Sequence, residues 1–222
     1  MTSRRSFDNW LWIAAAVSFG ISLTRWGPLV LYPFRLFTTW VHECGHAVMT
    51  LVVGGHVNSI VIERNAAGVT SSLIPQSRVA QGLVASAGYL GASIVGCALM
   101  IAGRGRKGAH GILWGIGAFM LLTLIVWVRN LFGLAVVLIW SVALIALSRK
   151  GSSPLSSFVL SLLAVQVALN SVFDIRVLFL LNGGHSDADT MARLFMLPTW
   201  TWASLWMLIS LSLLTWTLQR TR

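Results

Sequence analysis

Residues 38–53 read TTWVHECGHAVMTLVV, a strongly apolar stretch that contains a cluster of ionisable side chains. These side chains are His42, Glu43 and His46, in the pattern HExxH. A charged group at the centre of a membrane helix costs about 2.5 to 3.5 kcal/mol on insertion scales, so an apolar span rarely carries such residues without a use. We therefore interpret the stretch both as a membrane helix and as a candidate metal site.

The spacing of the two histidines suits a metal ion. Residues four apart lie on one face of a helix, so His42 and His46 can bind the same ion while Glu43 stands beside it. A zinc ion lowers the pKa of its bound water to about 7, and a neighbouring carboxylate can take the proton as that water attacks a carbonyl. The pattern predicts Zn²⁺ as cofactor, His42 and His46 as metal ligands, and Glu43 as the catalytic base of peptide-bond hydrolysis.

The composition indicates that most of the chain is surrounded by lipid. Of its 222 residues, 56% are hydrophobic and only 10% are charged, and the mean hydropathy is +0.79. The net charge of +10 comes from basic residues spread between apolar runs, which suits contact with lipid headgroups rather than nucleic acid. We expect a multi-pass protein of a cell membrane, with the bilayer as a partner and no nucleic acid.

We predict an all-α polytopic membrane protein, with about six or seven transmembrane helices and a small β-hairpin-like insertion after the second span. Residues 1–222 are expected to form a single membrane domain. A helix needs about 20 mainly apolar residues to cross the bilayer. The HExxH span is predicted at 29–53, and the other spans at 9–24, 79–102, 111–128, 131–147, 155–181 and 199–218. The runs 111–128 and 131–147 are separated by only two residues and could instead form one bent element.

Two further patterns concern how these elements pack. Residues 57–74 form short β-branched runs around a polar Arg64-Asn65 centre, which predicts a hairpin or extended loop. Gly88, Ala92 and Gly96 recur every four residues. Such a stripe of small residues allows another helix to approach closely.

A hydrolytic zinc site needs a third protein ligand. Asp174 is the only carboxylate other than Glu43 inside a predicted span. Three spans lie between the span of Glu43 and the span of Asp174, so these two helices should run parallel. His46 precedes Gly54 by eight residues and Asp174 precedes Asn182 by eight, so both lie about 12 Å below the same surface at 1.5 Å per residue. We therefore predict that Asp174, in the span 155–181, is the third metal ligand.

Alternatives to this choice remain open. Asp174 could instead pair with Arg176 at the membrane interface. Asp187 is the rival ligand if its loop folds back into the membrane, although Ser186 or Asp187 is more simply interpreted as the cap of the following short helix. Asn170 lies one helical turn before Asp174 and is a candidate substrate-binding residue.

Several of these segments together resemble a known family. HECGHA in a span, then Gly68-Val69-Thr70, then residues 87–91 (AGYLG) resemble the site-2 protease family of intramembrane zinc metalloproteases. The later residues 170–176 (NSVFDIR), with Gly-Gly-His-Ser-Asp-Ala after them, are similar to its small B-type branch. The resemblance implies zinc bound by His42, His46 and Asp174, with Glu43 as the base. It also implies that the hairpin guides the substrate as an added strand.

Two classes of function are therefore compared. The first is an intramembrane zinc metalloprotease whose partner is a membrane-spanning or membrane-proximal peptide. The second is a non-proteolytic membrane protein, a metal transporter or an assembly scaffold, that retains the metal site. A transporter typically shows polar residues along a path and repeat symmetry, whereas this sequence has one cluster and no repeat, which favours the protease.

Overall fold

The structure is a computed structural model that describes residues 2–103, 108–179 and 186–220. The described part of the chain is predominantly helical and includes a two-stranded antiparallel sheet. Its helices and strands, in chain order, are α1 (Thr2–Ser22), α2 (Gly27–Val52), β1 (His56–Ile62), β2 (Gly68–Leu73), α3 (Arg78–Ala102), α4 (Gly108–Val126), α5 (Leu131–Lys150), α6 (Ser153–Leu178), α7 (Asp187–Phe195) and α8 (Thr199–Arg220). The predicted polytopic helical fold with a small hairpin is confirmed.

Five of these helices, α3, α4, α5, α6 and α8, are long and apolar enough to cross a membrane. Among the described residues, α1 and α2 do not meet that criterion, so the predicted number of six or seven spans is only approximate. Helix α2 is not apolar enough because it contains Arg35 and the HExxH residues.

The runs 111–128 and 131–147 are separate helices, α4 and α5, rather than one bent element. The backbone between them joins the hairpin: Ile60 N–H donates to the Trp127 carbonyl at 2.7 Å, and Arg129 N–H donates to the Ile60 carbonyl at 3.1 Å. The Asn130 side chain donates to the Ile62 carbonyl at 2.7 Å. The turn after α4 therefore holds the outer edge of β1.

Helix α3 lies at the centre of the bundle, against α2, α6, α7 and α8. Its small residues permit this, as the sequence predicts. A Cβ atom on Gly96 would lie 2.8 Å from the backbone nitrogen of Ala168 in α6. One carbon atom more at this position would force α3 and α6 apart.

Buried hydroxyl groups also connect the helices. Ser93 of α3 lies 2.7 Å from the Ser210 hydroxyl of α8 and donates to the Ser171 hydroxyl of α6 at 3.1 Å. On the other side of α2, Trp40 donates to Thr123 of α4 at 3.0 Å. Such interhelical hydrogen bonds favour association where lipid gives no hydrophobic driving force between helices.

Candidate metal centre

Three side chains converge in the structure: His42 and His46 from α2, and Asp187 from the first turn of α7. The two Nε2 atoms lie 3.0 Å apart, and each lies 3.3 Å from Oδ2 of Asp187. In a tetrahedral site with bonds of about 2.0 to 2.1 Å, two ligand atoms lie about 3.3 Å apart. The three atoms therefore have the spacing of one face of a tetrahedral metal site, and the residues present fit a metal ion.

The protonation of His46 supports the same arrangement. Its Nδ1 lies 2.7 Å from the carbonyl oxygen of Val84. A carbonyl only accepts, so Nδ1 carries a proton and donates to Val84, and Nε2 is the ring nitrogen that faces Asp187. A hydrogen bond of this kind on the far ring nitrogen is characteristic of histidines that bind metals.

Glycine at position 88 leaves the space that the cluster occupies. A Cβ atom on Gly88 of α3 would lie 2.5 Å from Nε2 of His46 and also in collision with Nε2 of His42. Both ring nitrogens therefore reach this point only because residue 88 has no side chain. The sequence predicts a role for Gly88 in helix packing but none in the metal site.

The third member of the cluster differs from the sequence prediction, which chose Asp174. Asn170 donates to Thr38 at 3.3 Å, and these two residues lie one helical turn before Asp174 and His42 respectively. The Asp174 carboxylate lines the same cavity but does not belong to the group of ligand atoms. Depth below the membrane surface, which favoured Asp174, therefore does not determine which carboxylate contacts the two histidines.

Helix capping explains why Asp187 is available. The Ser186 hydroxyl accepts from the Asp189 N–H at 3.1 Å, and the Asp189 carboxylate accepts from the Ser186 N–H at 3.1 Å. This reciprocal pair caps α7, so the predicted capping role belongs to Ser186 and not to Asp187. The pattern Ser-x-x-Asp at 186–189 was the sequence signal that could have freed Asp187 for the metal site.

The charge state of Asp187 also suits a ligand. Burial raises the pKa of its carboxyl, but His46 and His42 beside it outweigh that effect and hold the pKa well below its usual range. The carboxylate is therefore ionised at neutral pH, as a metal ligand must be.

Glu43 lies next to the cluster and contacts the hairpin. Its Oε2 accepts a hydrogen bond from the Thr70 hydroxyl of β2 at 2.7 Å, and its side chain is buried. A Cβ atom on Gly68 would lie 2.5 Å from Oε1 of Glu43. Strand β2 therefore fixes the position of this carboxylate, a contact that the sequence does not predict.

These groups open into one cavity of about 680 Å³. Residues of α2, β2, α3, α6 and α7 line it, and they include Arg35, Asn170, Asp174 and Tyr89. Asn170 donates from its amide nitrogen to Thr38 at 3.3 Å, and toward Gln166 at 3.5 Å. The predicted substrate-binding Asn170 is therefore on the cavity wall, and its role stays a prediction.

The hairpin forms a further wall. In β2 the residues Gly68, Thr70 and Ser72 are less exposed than Val69, Ser71 and Leu73. Among the described residues, β1 is the only strand that pairs with β2, so the other edge of β2 has no strand on it. A bare strand edge next to a candidate base and metal site is an arrangement suited to an extended peptide.

Comparison with known proteins agrees with this geometry. The sequence model of a family described as Peptidase M50B-like matches residues 12–217. The chain belongs to the Peptidase M50B-like family. The match covers the HExxH helix, the hairpin and Asp187, and it confirms the resemblance to the site-2 protease family. No curated protein and no solved structure matches the chain.

Membership of the Peptidase M50B-like family, together with the five apolar helices, indicates a metallopeptidase-type membrane protein. The two histidines and Asp187 are the group that could hold its metal ion.

Proposed function

We propose that this chain is an intramembrane zinc metallopeptidase that hydrolyses peptide bonds of membrane-spanning or membrane-proximal substrates. The observation that carries the proposal is the convergence of His42, His46 and Asp187 at tetrahedral spacing, in a cavity that Glu43 also lines. A bound zinc ion would polarise the substrate carbonyl and acidify water. Two imidazoles and one carboxylate are a ligand set that leaves a fourth position open for this chemistry.

In this proposal Glu43 moves the proton. Thr70 donates to Oε2, so Oε1 is the oxygen free to accept a proton from water as the water oxygen attacks the peptide carbonyl carbon. When the carbon–nitrogen bond breaks, the same proton passes from Oε1 to the leaving nitrogen. Because Glu43 is buried against β2, its position does not have to be established anew in each turnover.

The substrate would bind as an added strand. The bare edge of β2 can exchange backbone hydrogen bonds with an extended peptide, which explains how a peptide of varied sequence could be held beside Glu43. The amide oxygen of Asn170, whose nitrogen donates to Thr38, would accept from a substrate N–H on the opposite wall. We further propose that the protein acts as a multi-pass protein of a cell membrane.

The test is Glu43→Gln in the full chain, reconstituted in lipid vesicles with a single-span peptide. We expect the parent protein to cleave the peptide and Glu43→Gln to lose cleavage. Elemental analysis should still find about one zinc per chain in Glu43→Gln, because Glu43 transfers a proton during the reaction and does not bind the metal. Cleavage by Glu43→Gln at the parental rate would contradict the proposal. Zinc binding by a parent protein that cleaves no membrane peptide would instead favour the alternative of a transporter or scaffold.

A further inference from the structure

Tyr89 of α3 lines the same cavity as the metal-site residues. Its ring meets the ring of His42 edge to face, with centroids 4.7 Å apart and planes at 85°. It also stacks on Trp206 of α8, with centroids 5.2 Å apart and planes at 22°. A ring packed against two other rings has little freedom, so the structure gives the phenol of Tyr89 a fixed position in the cavity.

The hydroxyl of Tyr89 has no hydrogen-bond partner among the residues that the structure describes. Carboxylates nevertheless lie around it, since Asp187, Asp174 and Glu43 all act on it electrostatically. A tyrosine with most of its ring buried usually finds a partner for its hydroxyl. In this cavity the hydroxyl is therefore available to a molecule that enters.

We propose that Tyr89 is a further catalytic residue, and that its hydroxyl donates a hydrogen bond to the carbonyl oxygen of the peptide bond being hydrolysed. The inference rests on the function proposed above. As the water oxygen bonds to the carbonyl carbon, the π electrons of the carbonyl move onto its oxygen, and Glu43 holds the proton that the water lost. The Tyr89 hydroxyl stabilises that negative oxygen without giving up its own proton.

Two properties of the Tyr89 hydroxyl suit it to this role: it is uncharged, and its position is fixed. A phenol is a neutral donor at neutral pH, so it adds no unpaired charge to a cavity inside the membrane. A donor fixed before the reaction needs no reorganisation when the charge develops, which is the condition under which such hydrogen bonds contribute most to rate. The contacts with His42 and Trp206 supply that fixation.

The experiment compares the parent chain with Tyr89→Phe and Tyr89→Leu, each as the full chain in lipid vesicles. Tyr89→Phe removes only the hydroxyl, whereas Tyr89→Leu also removes the ring that packs on His42. For each protein we would measure kcat and KM on a single-span peptide, zinc affinity, and binding of the same peptide with a phosphinic group at the cleavage site. The phosphinic group mimics the negative tetrahedral species.

For Tyr89→Phe we expect kcat to fall about 100- to 1,000-fold, with KM and zinc affinity unchanged, and affinity for the phosphinic peptide to fall by a similar factor. Parental kcat and parental phosphinic binding in Tyr89→Phe would overturn the inference while leaving the proposed protease intact. A loss of zinc affinity in Tyr89→Phe equal to that in Tyr89→Leu would overturn it too, because the hydroxyl would then be acting through the structure of the site. A parent chain that shows no Glu43-dependent cleavage would contradict the proposed function itself, and this inference with it.

Discussion

Oδ2 of Asp187 lies 3.3 Å from Nε2 of His46, although the hairpin and four helices separate α2 from α7 along the chain. The contact brings the amino-terminal end of a short helix to the face of the HExxH helix. It assigns the third position of the candidate metal site to a residue outside the five apolar helices.

The first prediction separates the two aspartates. Asp187→Ala should weaken zinc binding by more than about 100-fold, because even groups that only hold metal ligands in place contribute about 10- to 100-fold. Asp174→Ala, which removes a carboxylate from the same cavity but not from the ligand group, is the matched control and should bind zinc like the parent. Competition with a chelator of known affinity measures both. The reverse ranking of the two variants would return the third ligand to α6.

The second prediction concerns the space next to Gly88 of α3, where the Nε2 atoms of His42 and His46 lie. In Gly88→Ala the new methyl group would collide with both histidine Nε2 atoms, so zinc affinity should fall at least about 10-fold. Gly111→Ala in α4 is the control, because a Cβ atom there meets nothing within 4 Å. That control should keep parental zinc affinity and gain helix stability, since alanine is favoured over glycine in a helix by up to about 1 kcal/mol. Parental zinc binding by Gly88→Ala would show that the cluster lies elsewhere.

The third prediction tests the hydrogen bond from the hairpin to the base. Thr70→Val keeps the shape of the side chain but removes the 2.7 Å bond to Glu43. A hydrogen bond to a charged group contributes about 1.5 to 3 kcal/mol, so we expect kcat to fall about 10-fold or more, with zinc content unchanged. Thr123→Val, which removes a buried hydroxyl that accepts from Trp40, should lower the melting temperature but not kcat. Equal kcat values for the two variants would mean that Thr70 does not support Glu43.

The fourth prediction tests strand addition from the side of the substrate. In an extended peptide paired with β2, backbone N–H groups alternate between facing the strand and facing away. Peptides methylated at one backbone nitrogen each should therefore show KM values that rise at every second position near the cleavage site. Measuring KM across such a series with the parent chain gives the result directly. A smooth dependence on position would exclude pairing at this edge.

Local patterns predicted most of the fold, because apolar runs, glycine breaks and β-branched segments act over short distances. The HExxH group, the hairpin at 57–74 and the close packing at Gly96 are of this kind. The sequence offered Asp187 only as the rival to Asp174, because its position depends on how α7 packs against α3, which no local pattern describes. The hydrogen bond between Thr70 and Glu43 was missed for the same reason, since it joins a strand to a helix across the fold.

The attachment of β1 to the turn between α4 and α5 has a consequence for association between molecules. Open strand edges invite further strands, and a sheet with two open edges can grow without limit. Here Ile60 is hydrogen-bonded on its outer side to Trp127 and Arg129, so in the described structure the edge of β2 is the one left for pairing. Strand addition, as proposed above, would thereby be limited to one peptide per chain, and two copies that met edge to edge would form a closed pair instead of a growing aggregate.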